Sequence, residues 1–275
     1  MTNFTKRIAS VAAAATLALG LVACGGGAAS TTSAASGSGT DAAAAGKVYK
    51  IATDTTFAPF EYADPSGKYV GIDIEILDAI AKDQGFEYEL EPLGFNAALQ
   101  AVQSGQSDGV IAGMSITDER KEIFDFSQPY YDSTVCAAIK NGSDVKSLED
   151  MNGKKVAVKT GTMSESWAES MKAQYGFETV QFDDSDVMYQ DVLAGNTVAC
   201  FEDTPVMSYA ISTGNVDLTI ISEAGANSDF ATPYGFAVNK GANAELLKMF
   251  DDGLANIKAN GTYDKIVSSY VKSVN

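Results

Sequence analysis

Two hydrophobic periods alternate along the chain from residue 47 onward. Ile72, Ile76 and Ile80 recur at every fourth position ahead of Gly85, and this pattern predicts an amphipathic helix followed by a left-handed glycine. Short runs that are β-branched or continuously apolar predict strands instead. The predicted strands cover residues 47–54, 88–92, 108–114, 155–159 and 198–201. The other predicted helices cover residues 96–104, 162–174, 185–194, the stretch after 204, 243–260 and 263–270.

Residues at the helix ends support these boundaries. Asn96 is expected to cap one helix, and Thr204 with Pro205 form an N-cap and first-position pair for another. Thr162 and Glu165 have the spacing of a capping box. Because strands alternate with helices, the sequence predicts an α/β fold with largely parallel sheets.

The N-terminal segment differs in character from the rest of the chain. Two basic residues precede an uncharged apolar run at 8–22, which is short for a membrane span and typical of a signal peptide, here residues 1–23. Residues 21–24, Leu-Val-Ala-Cys, resemble the lipobox of bacterial lipoproteins, which implies lipidation of Cys24. Residues 24–46 are small and polar and predict a flexible tether. We therefore expect a protein held by a lipid anchor at the extracytoplasmic face of the bacterial cell membrane.

Composition excludes several classes of function. The 275 residues carry a net charge of −17, which argues against nucleic-acid binding, and 45% of them are hydrophobic, enough for a buried core. The chain has no histidine, so Ser-His-Asp or Cys-His catalysis and histidine-containing metal sites are excluded. No metal or cofactor is expected. Cys136 and Cys200 lie in apolar runs, where they could form a disulfide or remain as buried thiols.

Chemically diverse residues follow four of the predicted strands. Ligands in α/β folds bind at the carboxyl ends of strands and at helix N-termini, so these segments are the candidate site. The segments are residues 54–60, 113–120, 159–164 and 202–205. They contain cations, carboxylates and aromatic rings, which are the groups needed to hold a small zwitterion.

The segments ATDTTFAPFEY (52–62), GKYVGIDIEILDAIAK (67–82), AGMSITDERKEIFDFSQPYY (112–131), VAVKTGT (156–162) and FEDTP (201–205) resemble the polar-amino-acid substrate-binding proteins of ABC importers, also called solute-binding protein family 3. The nearest likeness is to glutamine-binding proteins. The resemblance implies a two-lobed type II periplasmic-binding-protein fold with two connecting hinge strands. Lobe 1 would comprise residues 47–129 and 235–275, lobe 2 would comprise 135–229, and the hinges would be 130–134 and 230–234.

The same resemblance implies roles for residues that would bind the backbone groups of an amino acid. Arg120 would hold the α-carboxylate, helped by the N–H of Ser115 and by the helix start at Thr162 and Met163. Asp203 would hold the α-ammonium group. The carbonyl oxygen of Gly113 and the hydroxyl of Ser115 would complete the acceptors.

Other matching positions would bind the ligand side chain. Phe57 and Phe95 would flank its aliphatic stem. Asp54 and Lys159 would meet its polar head, as an acceptor and a donor suit a primary amide.

Three positions depart from the glutamine-binding pattern. Ser115, Met163 and Glu202 stand where such proteins tend to have threonine, a small residue and histidine. If Glu202 faces the side-chain pocket with Asp54 and Lys159, that pocket carries a net charge near −1 and rejects glutamate. Glutamine or a similar polar neutral amino acid is the favoured ligand, and arginine or lysine is the alternative.

The resemblance implies a monomeric binding protein that delivers an amino acid to the permease of an ABC importer. Two other functions remain as alternatives. A sensor would bind the same ligand without a transporter, and a cyclohexadienyl dehydratase-like enzyme would use Glu202 as a general acid. The amino-acid-binding residues and the predicted lipid anchor argue against the enzyme.

Overall fold

The computed structural model describes residues 47–271. The predicted signal peptide, Cys24 and the tether lie outside the described residues. Strands are, in chain order, β1 (Val48–Thr53), β2 (Thr56–Phe57), β3 (Glu61–Ala63), β4 (Tyr69–Val70), β5 (Glu87–Pro92), β6 (Gly109–Val110), β7 (Phe124–Phe126), β8 (Tyr131–Asp132), β9 (Val135–Lys140), β10 (Lys155–Lys159), β11 (Glu178–Phe182), β12 (Ala199–Asp203), β13 (Leu218–Glu223), β14 (Pro233–Tyr234) and β15 (Ala237–Asn239).

Helices cover the faces of these strands and connect many of them. They are α1 (Ile72–Gln84), α2 (Phe95–Gln103), α3 (Asp118–Lys121), α4 (Met163–Tyr175), α5 (Ser185–Ala194), α6 (Thr204–Ser212), α7 (Ala244–Ala259) and α8 (Thr262–Tyr270). A 3₁₀ turn covers Glu149–Met151. None of the helices in this part of the chain is both long and apolar enough to cross a bilayer.

Two five-stranded sheets form the centres of two lobes. The first sheet has the order β5-β1-β6-β15-β7, and the second has the order β11-β10-β12-β9-β13. In each sheet the first three strands are parallel and the last two run antiparallel to their neighbours. The prediction of an α/β fold is confirmed, and both sheets are mixed because each takes in strands next to the points where the chain changes lobe.

The chain passes between the sheets twice. It leaves the first sheet after β7 through β8, and it returns through β14 before β15. The two crossing strands pair in antiparallel fashion, with Tyr234 opposite Tyr131 and Pro233 opposite Asp132. The lobes are therefore joined by two short neighbouring strands.

Each lobe has its own hydrophobic core. In lobe 1, α1 packs against α7 and α8, and Phe236 stacks on Phe250 with ring centroids 4.5 Å apart. In lobe 2, Trp167 of α4 meets Phe201 of β12 edge-on at 5.4 Å. Burial of these aromatic faces contributes to the stability of each lobe and fixes the strand ends that border the cleft.

Most predicted element boundaries agree with the structure, and three are wrong. Helix α2 begins at Phe95 after Gly94, whose φ of 85° and ψ of 153° favour glycine, so Asn96 is not the cap. Helix α6 is capped one residue earlier than expected, by Asp203, which places Thr204 inside the helix. Strand β6 covers only two residues of the predicted 108–114 strand, because the chain turns at Gly113 with a φ of 52°.

The predicted capping box at Thr162 is formed in part. The Thr162 hydroxyl accepts a hydrogen bond from the N–H of Glu165 at 3.2 Å. The Glu165 carboxylate accepts from the N–H of Gly161 at 2.6 Å, one residue before the cap. Both bonds fix the first turn of α4 at the cleft.

The two cysteines of lobe 2 are free, buried thiols. In the β9–β12 pair, Cys136 lies opposite Glu202 and Cys200 lies opposite Ala138. The thiols are thus diagonal neighbours in the ladder. Of the two alternatives left open by the sequence, the structure has the unpaired one.

Candidate functional site

The carboxyl ends of β1, β10 and β12 meet in a cleft between the lobes. The cavity that remains between the side chains there has a volume of only about 10 Å³, so the cleft is nearly closed. The lining residues come from both lobes: Asp54, Phe57, Phe95, Ala112, Gly113, Ser115, Arg120, Thr162, Met163 and Asp203. All of these except Ala112 are candidate site residues from the sequence, whereas two further candidates, Lys159 and Glu202, do not line the cavity.

Arg120 spans the two lobes at one side of the cavity. Thr117 caps the short helix α3 and so fixes the backbone of Arg120, whose N–H donates to the Thr117 hydroxyl at 3.1 Å. The guanidinium donates to the carbonyl of Ser115 at 2.8 Å and to the carbonyl of Gly161 at 2.9 Å. It also lies 5.4 Å from the centroid of the Phe95 ring. Removal from water lowers the pKa of Arg120 to about 10, so it remains a cation at neutral pH.

Asp203 supplies a negative charge next to Arg120. The hydroxyl of Tyr234 in β14 donates to Asp203, and the hydroxyl of Ser133 donates in turn to that of Tyr234 at 2.9 Å. Burial, with the neighbouring charge of Glu202, raises the pKa of Asp203 to about 7, although Tyr234 and Arg120 oppose this change. Tyr234 is not among the site residues predicted from the sequence, because a tyrosine in a predicted connecting segment has no pattern that indicates where its hydroxyl points.

Asp54 and Lys159 form a buried ion pair at the other side of the cavity. They follow β1 and end β10, and the Lys159 ammonium donates to one oxygen of Asp54. The second oxygen of Asp54 accepts from the N–H of Thr55 at 2.7 Å. The Lys159 nitrogen also lies 5.4 Å from the ring centroid of Phe57. Attraction to Asp54 and Glu202 outweighs the effect of burial and raises the pKa of Lys159.

Glu202 is not in the cavity, which corrects the expectation that it faces the ligand. One of its oxygens accepts from Ser185 at 3.0 Å and Tyr189 at 2.8 Å, and the other accepts from the N–H of Asp203 at 2.9 Å. Adjacent residues in a strand point to opposite faces of the sheet. Because the Asp203 side chain points toward the cleft, the Glu202 side chain points toward α5. Burial raises the pKa of Glu202, and the charge of Lys159 opposes the rise.

Gly113 and Gly161 allow close contacts at the cleft. A side-chain carbon at Gly113 would lie 2.3 Å from the Phe57 ring, and one at Gly161 would lie 2.3 Å from the amide oxygen of Asn96. Both glycines have positive φ. Asn96, which was expected to be a helix cap, therefore lies beside the lobe 2 turn ahead of α4.

Within residues 47–271, no group of three or more histidine, cysteine or acidic residues is placed to hold a metal ion. The cavity presents charged and aromatic groups suited to an organic zwitterion. A cation and a carboxylate face one end of such a molecule, and an ion pair lies near the other.

Two α/β lobes around a ligand cleft, joined by two crossing strands, define the type II periplasmic binding proteins. The chain belongs to the bacterial extracellular solute-binding proteins, family 3, whose model matches residues 49–273. It is an amino-acid-binding protein of an ABC importer that works outside the cytoplasm.

Relatives that are named for different amino acids support this assignment. The chain is 32% identical to a probable histidine-binding protein of Neisseria gonorrhoeae, over 98% of this chain and 96% of that one. It is 31% identical to an arginine-binding extracellular protein of Bacillus subtilis, over 84% of this chain and 89% of the other. It is also 32% identical to an L-cystine-binding protein of Escherichia coli, over 77% of this chain and 78% of that one.

Solved structures agree with the fold. An ancestral arginine-binding protein bound to arginine is 39% identical, with a TM-score of 0.74 over 81% of this chain and 97% of that one. A substrate-binding domain of Lactococcus lactis GlnP in an open conformation is 42% identical, with a TM-score of 0.58 over 83% of this chain and 97% of that one. The higher score against the ligand-bound structure is in keeping with the contacts that Arg120 and Lys159 make across the cleft.

Proposed function

We propose that this protein captures a polar neutral amino acid, with glutamine favoured, and delivers it to the permease of its ABC importer. The observation that carries the proposal is the distribution of charge around the cavity. Arg120 and Asp203 lie on one side, and the paired Asp54 and Lys159 lie on the other. We further propose that the protein acts as a monomer.

The first pair would bind the groups common to all amino acids. The Arg120 guanidinium is planar and suits a bidentate bond to an α-carboxylate. Met163 begins α4, so its free N–H and the positive end of the helix would add to this anion site. Asp203 would accept from the α-ammonium group, with the carbonyl of Gly113 and the hydroxyl of Ser115 beside it.

The second pair would select the side chain. Asp54 and Lys159 neutralise each other, and Asp54, which lines the cavity, would still offer an acceptor to the amide of glutamine. Glutamate would bring an additional negative charge close to Asp54 and to the buried Glu202. Because a buried, unpaired charge is unfavourable by several kcal/mol, about a hundredfold or more in affinity, we expect glutamate to be rejected.

A basic amino acid is the second candidate. Relatives are named for histidine, arginine and lysine/arginine/ornithine, and the ancestral arginine-binding protein has been solved with glutamine as well as with arginine. A cationic head would have to compete with Lys159 for Asp54. This competition is the reason that glutamine is favoured here.

We propose that residues 130–134 and 230–234 are the hinges between lobe 1 (47–129 and 235–275) and lobe 2 (135–229). Pairing of β8 with β14 supports this proposal, since two adjacent short strands would allow one lobe to rotate against the other. Opening would separate Arg120 from the Gly161 carbonyl and admit the ligand.

A thermal-shift screen against the common amino acids, followed by calorimetric titration, tests the proposal. Glutamine is expected to raise the melting temperature most and glutamate not at all. Arg120→Ala should weaken the best ligand by about 2–5 kcal/mol, the loss typical of truncating a buried charge partner. Lys121→Ala, an exposed cation at the next position, is the control. Tight binding of arginine without binding of glutamine would contradict the favoured ligand, and normal binding by Arg120→Ala would contradict the site.

We also propose that the protein is held at the membrane through lipidated Cys24. Cys24→Ala should release it from the membrane fraction without a change in ligand affinity, because the tether separates the anchor from the lobes. Ser38→Ala in the tether is the control. Retention of Cys24→Ala in salt-washed membranes would contradict the anchor.

A further inference from the structure

Two carboxyl groups lie together behind the cavity and have no part in the ligand contacts proposed above. Glu61 in β3 and Asp73 in the first turn of α1 are each 0% exposed. Among the described residues, neither carboxyl group forms an ion pair with a lysine or arginine. A buried carboxyl pair without a cation needs another source of stabilisation.

The backbone brings the two groups together. The N–H of Asp73 donates to the carbonyl of Phe60 at 3.0 Å, so the start of α1 rests on the residue before Glu61. Gly71 permits this contact, because a side-chain carbon there would lie 2.1 Å from the Phe60 oxygen. The sequence does not predict this pair, because a three-residue strand shows no clear alternation and an acidic residue such as Asp73 is common in the first turn of a helix.

Asp73 also holds one wall of the cavity. One of its oxygens accepts from the N–H of Gly113 at 2.8 Å and from the hydroxyl of Tyr130 at 2.7 Å. Gly113 lines the cavity, and Tyr130 directly precedes the crossing strand β8. Asp73 therefore links the cavity wall to the beginning of the inter-lobe connection.

The remaining oxygens of the pair have no donor. The other Asp73 oxygen and both Glu61 oxygens are buried without a hydrogen-bond partner. Two carboxylates cannot hydrogen-bond each other, but a carboxylic acid can donate to a carboxylate. A single proton on Glu61 gives the pair its missing donor.

The surroundings favour this division of roles. Asp73 has two donors and lies in the first turn of a helix, and both features stabilise a negative charge. Glu61 has neither. Burial raises the pKa of Asp73 to about 6, and burial together with the charge of Asp73 raises the pKa of Glu61 well above its usual value.

We propose that Glu61 and Asp73 share one proton and that this protonated pair positions the Gly113 backbone at the ligand cavity. Loss of the proton would place two negative charges side by side and move Asp73 away from the Gly113 N–H. Glu61 is thus a positioning residue that acts through Asp73. The link to ligand binding rests on the proposed function, whereas the proton sharing and the Gly113 contact do not.

Other titratable groups face the pair. Asp54 at the end of β1 raises the pKa of Glu61, and Lys159 at the end of β10 lowers it. These two form an ion pair with each other, so their effects on Glu61 partly cancel. Tyr130 donates a hydrogen bond to Asp73. The charge of Asp73 also contributes slightly to the raised pKa of Tyr263 in α8, most of which comes from burial.

Glu61→Gln tests the shared proton without a ligand. Glutamine keeps the shape of the side chain and always carries N–H donors, so it imitates the protonated acid. A group whose pKa is raised by folding contributes stability at low pH, and that stability is lost as pH rises toward the folded-state pKa. The melting temperature of Glu61→Gln minus that of wild type should therefore increase from about pH 5 to about pH 8, by about 3 °C or more.

Glu87→Gln is the matched control, because Glu87 is an exposed residue of β5 in the same lobe. Its melting temperature should follow that of wild type at both pH values. A difference between Glu61→Gln and wild type that does not change with pH would overturn the shared proton.

The amide resonance of Gly113 tests the positioning. Its ¹H and ¹⁵N shifts should show a titration in wild type that Glu61→Gln lacks, apart from the change that the titration of Asp203 causes in both proteins. A Gly113 resonance whose pH dependence is the same in wild type and in the variant would overturn the positioning role.

Ligand affinity tests the functional link. The amino acid that stabilises wild type most in the thermal-shift screen is titrated calorimetrically into wild type and Glu61→Gln. The wild-type Kd divided by the variant Kd should rise by at least about threefold over the pH range in which the Gly113 resonance titrates in wild type. Taking this ratio cancels the titration of Asp203, which both proteins share. A ratio that stays constant would overturn the link, and a ligand other than glutamine would count only against the favoured ligand.

Discussion

Lys159 and Asp54 form an ion pair between the lobes, and each side chain is only 1% exposed. Lys159 ends a strand of lobe 2, and Asp54 follows a strand of lobe 1. The pair is therefore made only when the cleft is closed around it. In the closed cleft, either charge would be buried and unpaired if the other were missing. The pair therefore couples closure of the lobes to the charge balance of the cavity.

Lys159→Gln should shift the protein without added ligand toward an open cleft. Asp54 would lose its cation, and opening the cleft to hydrate it is less unfavourable than leaving it buried. Small-angle X-ray scattering should show a larger radius of gyration than that of wild type. Lys155→Gln, at the exposed start of the same strand, is the control. An unchanged radius of gyration for Lys159→Gln would mean that the pair does not hold the lobes together.

Gly113→Ala should reduce ligand affinity by disturbing Phe57. The added carbon would lie 2.3 Å from the Phe57 ring. The alanine would also have to adopt a φ of 52°, which is unfavourable for alanine by about 1–2 kcal/mol. Gly105→Ala is a close control, because Gly105 has a φ of 73° and no atom within 4 Å of the added carbon. Calorimetry should show weaker binding for Gly113→Ala only. Equal losses of ligand affinity in both variants would mean that backbone strain, and not the contact with Phe57, causes the effect.

Glu202→Gln should change selectivity through Lys159 and not through direct contact. The variant removes a negative charge near Lys159, so glutamate should gain affinity relative to glutamine. The donors from Ser185, Tyr189 and the Asp203 N–H would meet an amide, and the mismatch should destabilise the fold by about 1–3 kcal/mol. Calorimetry and thermal unfolding measure the two effects, with exposed Glu178→Gln as the control. Collapse of arginine or lysine binding alone would instead indicate direct contact with a cationic ligand.

Ligand binding should release a proton from Asp203 in mildly acidic solution. The pKa of Asp203 is raised to about 7, so the free protein holds a proton on this carboxyl group below that pH. An α-ammonium group needs the carboxylate, and affinity should therefore fall as pH falls through about 7. At about pH 6 the calorimetric enthalpy should depend on the ionisation enthalpy of the buffer through the proton that Asp203 releases, and this dependence should weaken as the pH rises above about 7. Equal enthalpies in all buffers at about pH 6 would exclude Asp203 as the titrating group.

The sequence alone determined most of the elements and the position of the cleft. The four-residue period of Ile72, Ile76 and Ile80 fixes the buried face of α1, because such residues share one side of a helix. The polar residues after the strands could be assigned to one site, because parallel strands end at the same edge of a sheet. The family resemblance then assigned those residues to an amino-acid site.

Only the tertiary structure decided which neighbouring side chains face the cavity and which face the core. Glu202 and Asp203 are adjacent carboxylates in one strand, and the helices that pack on the sheet determine which of them is turned inward. Likewise, Glu61 meets Asp73, and Lys159 meets Asp54, through contacts between segments that are distant in sequence or belong to different lobes. Local sequence patterns specify periodicity, whereas the pairing of buried charges depends on the distances and desolvation that arise when the segments pack together.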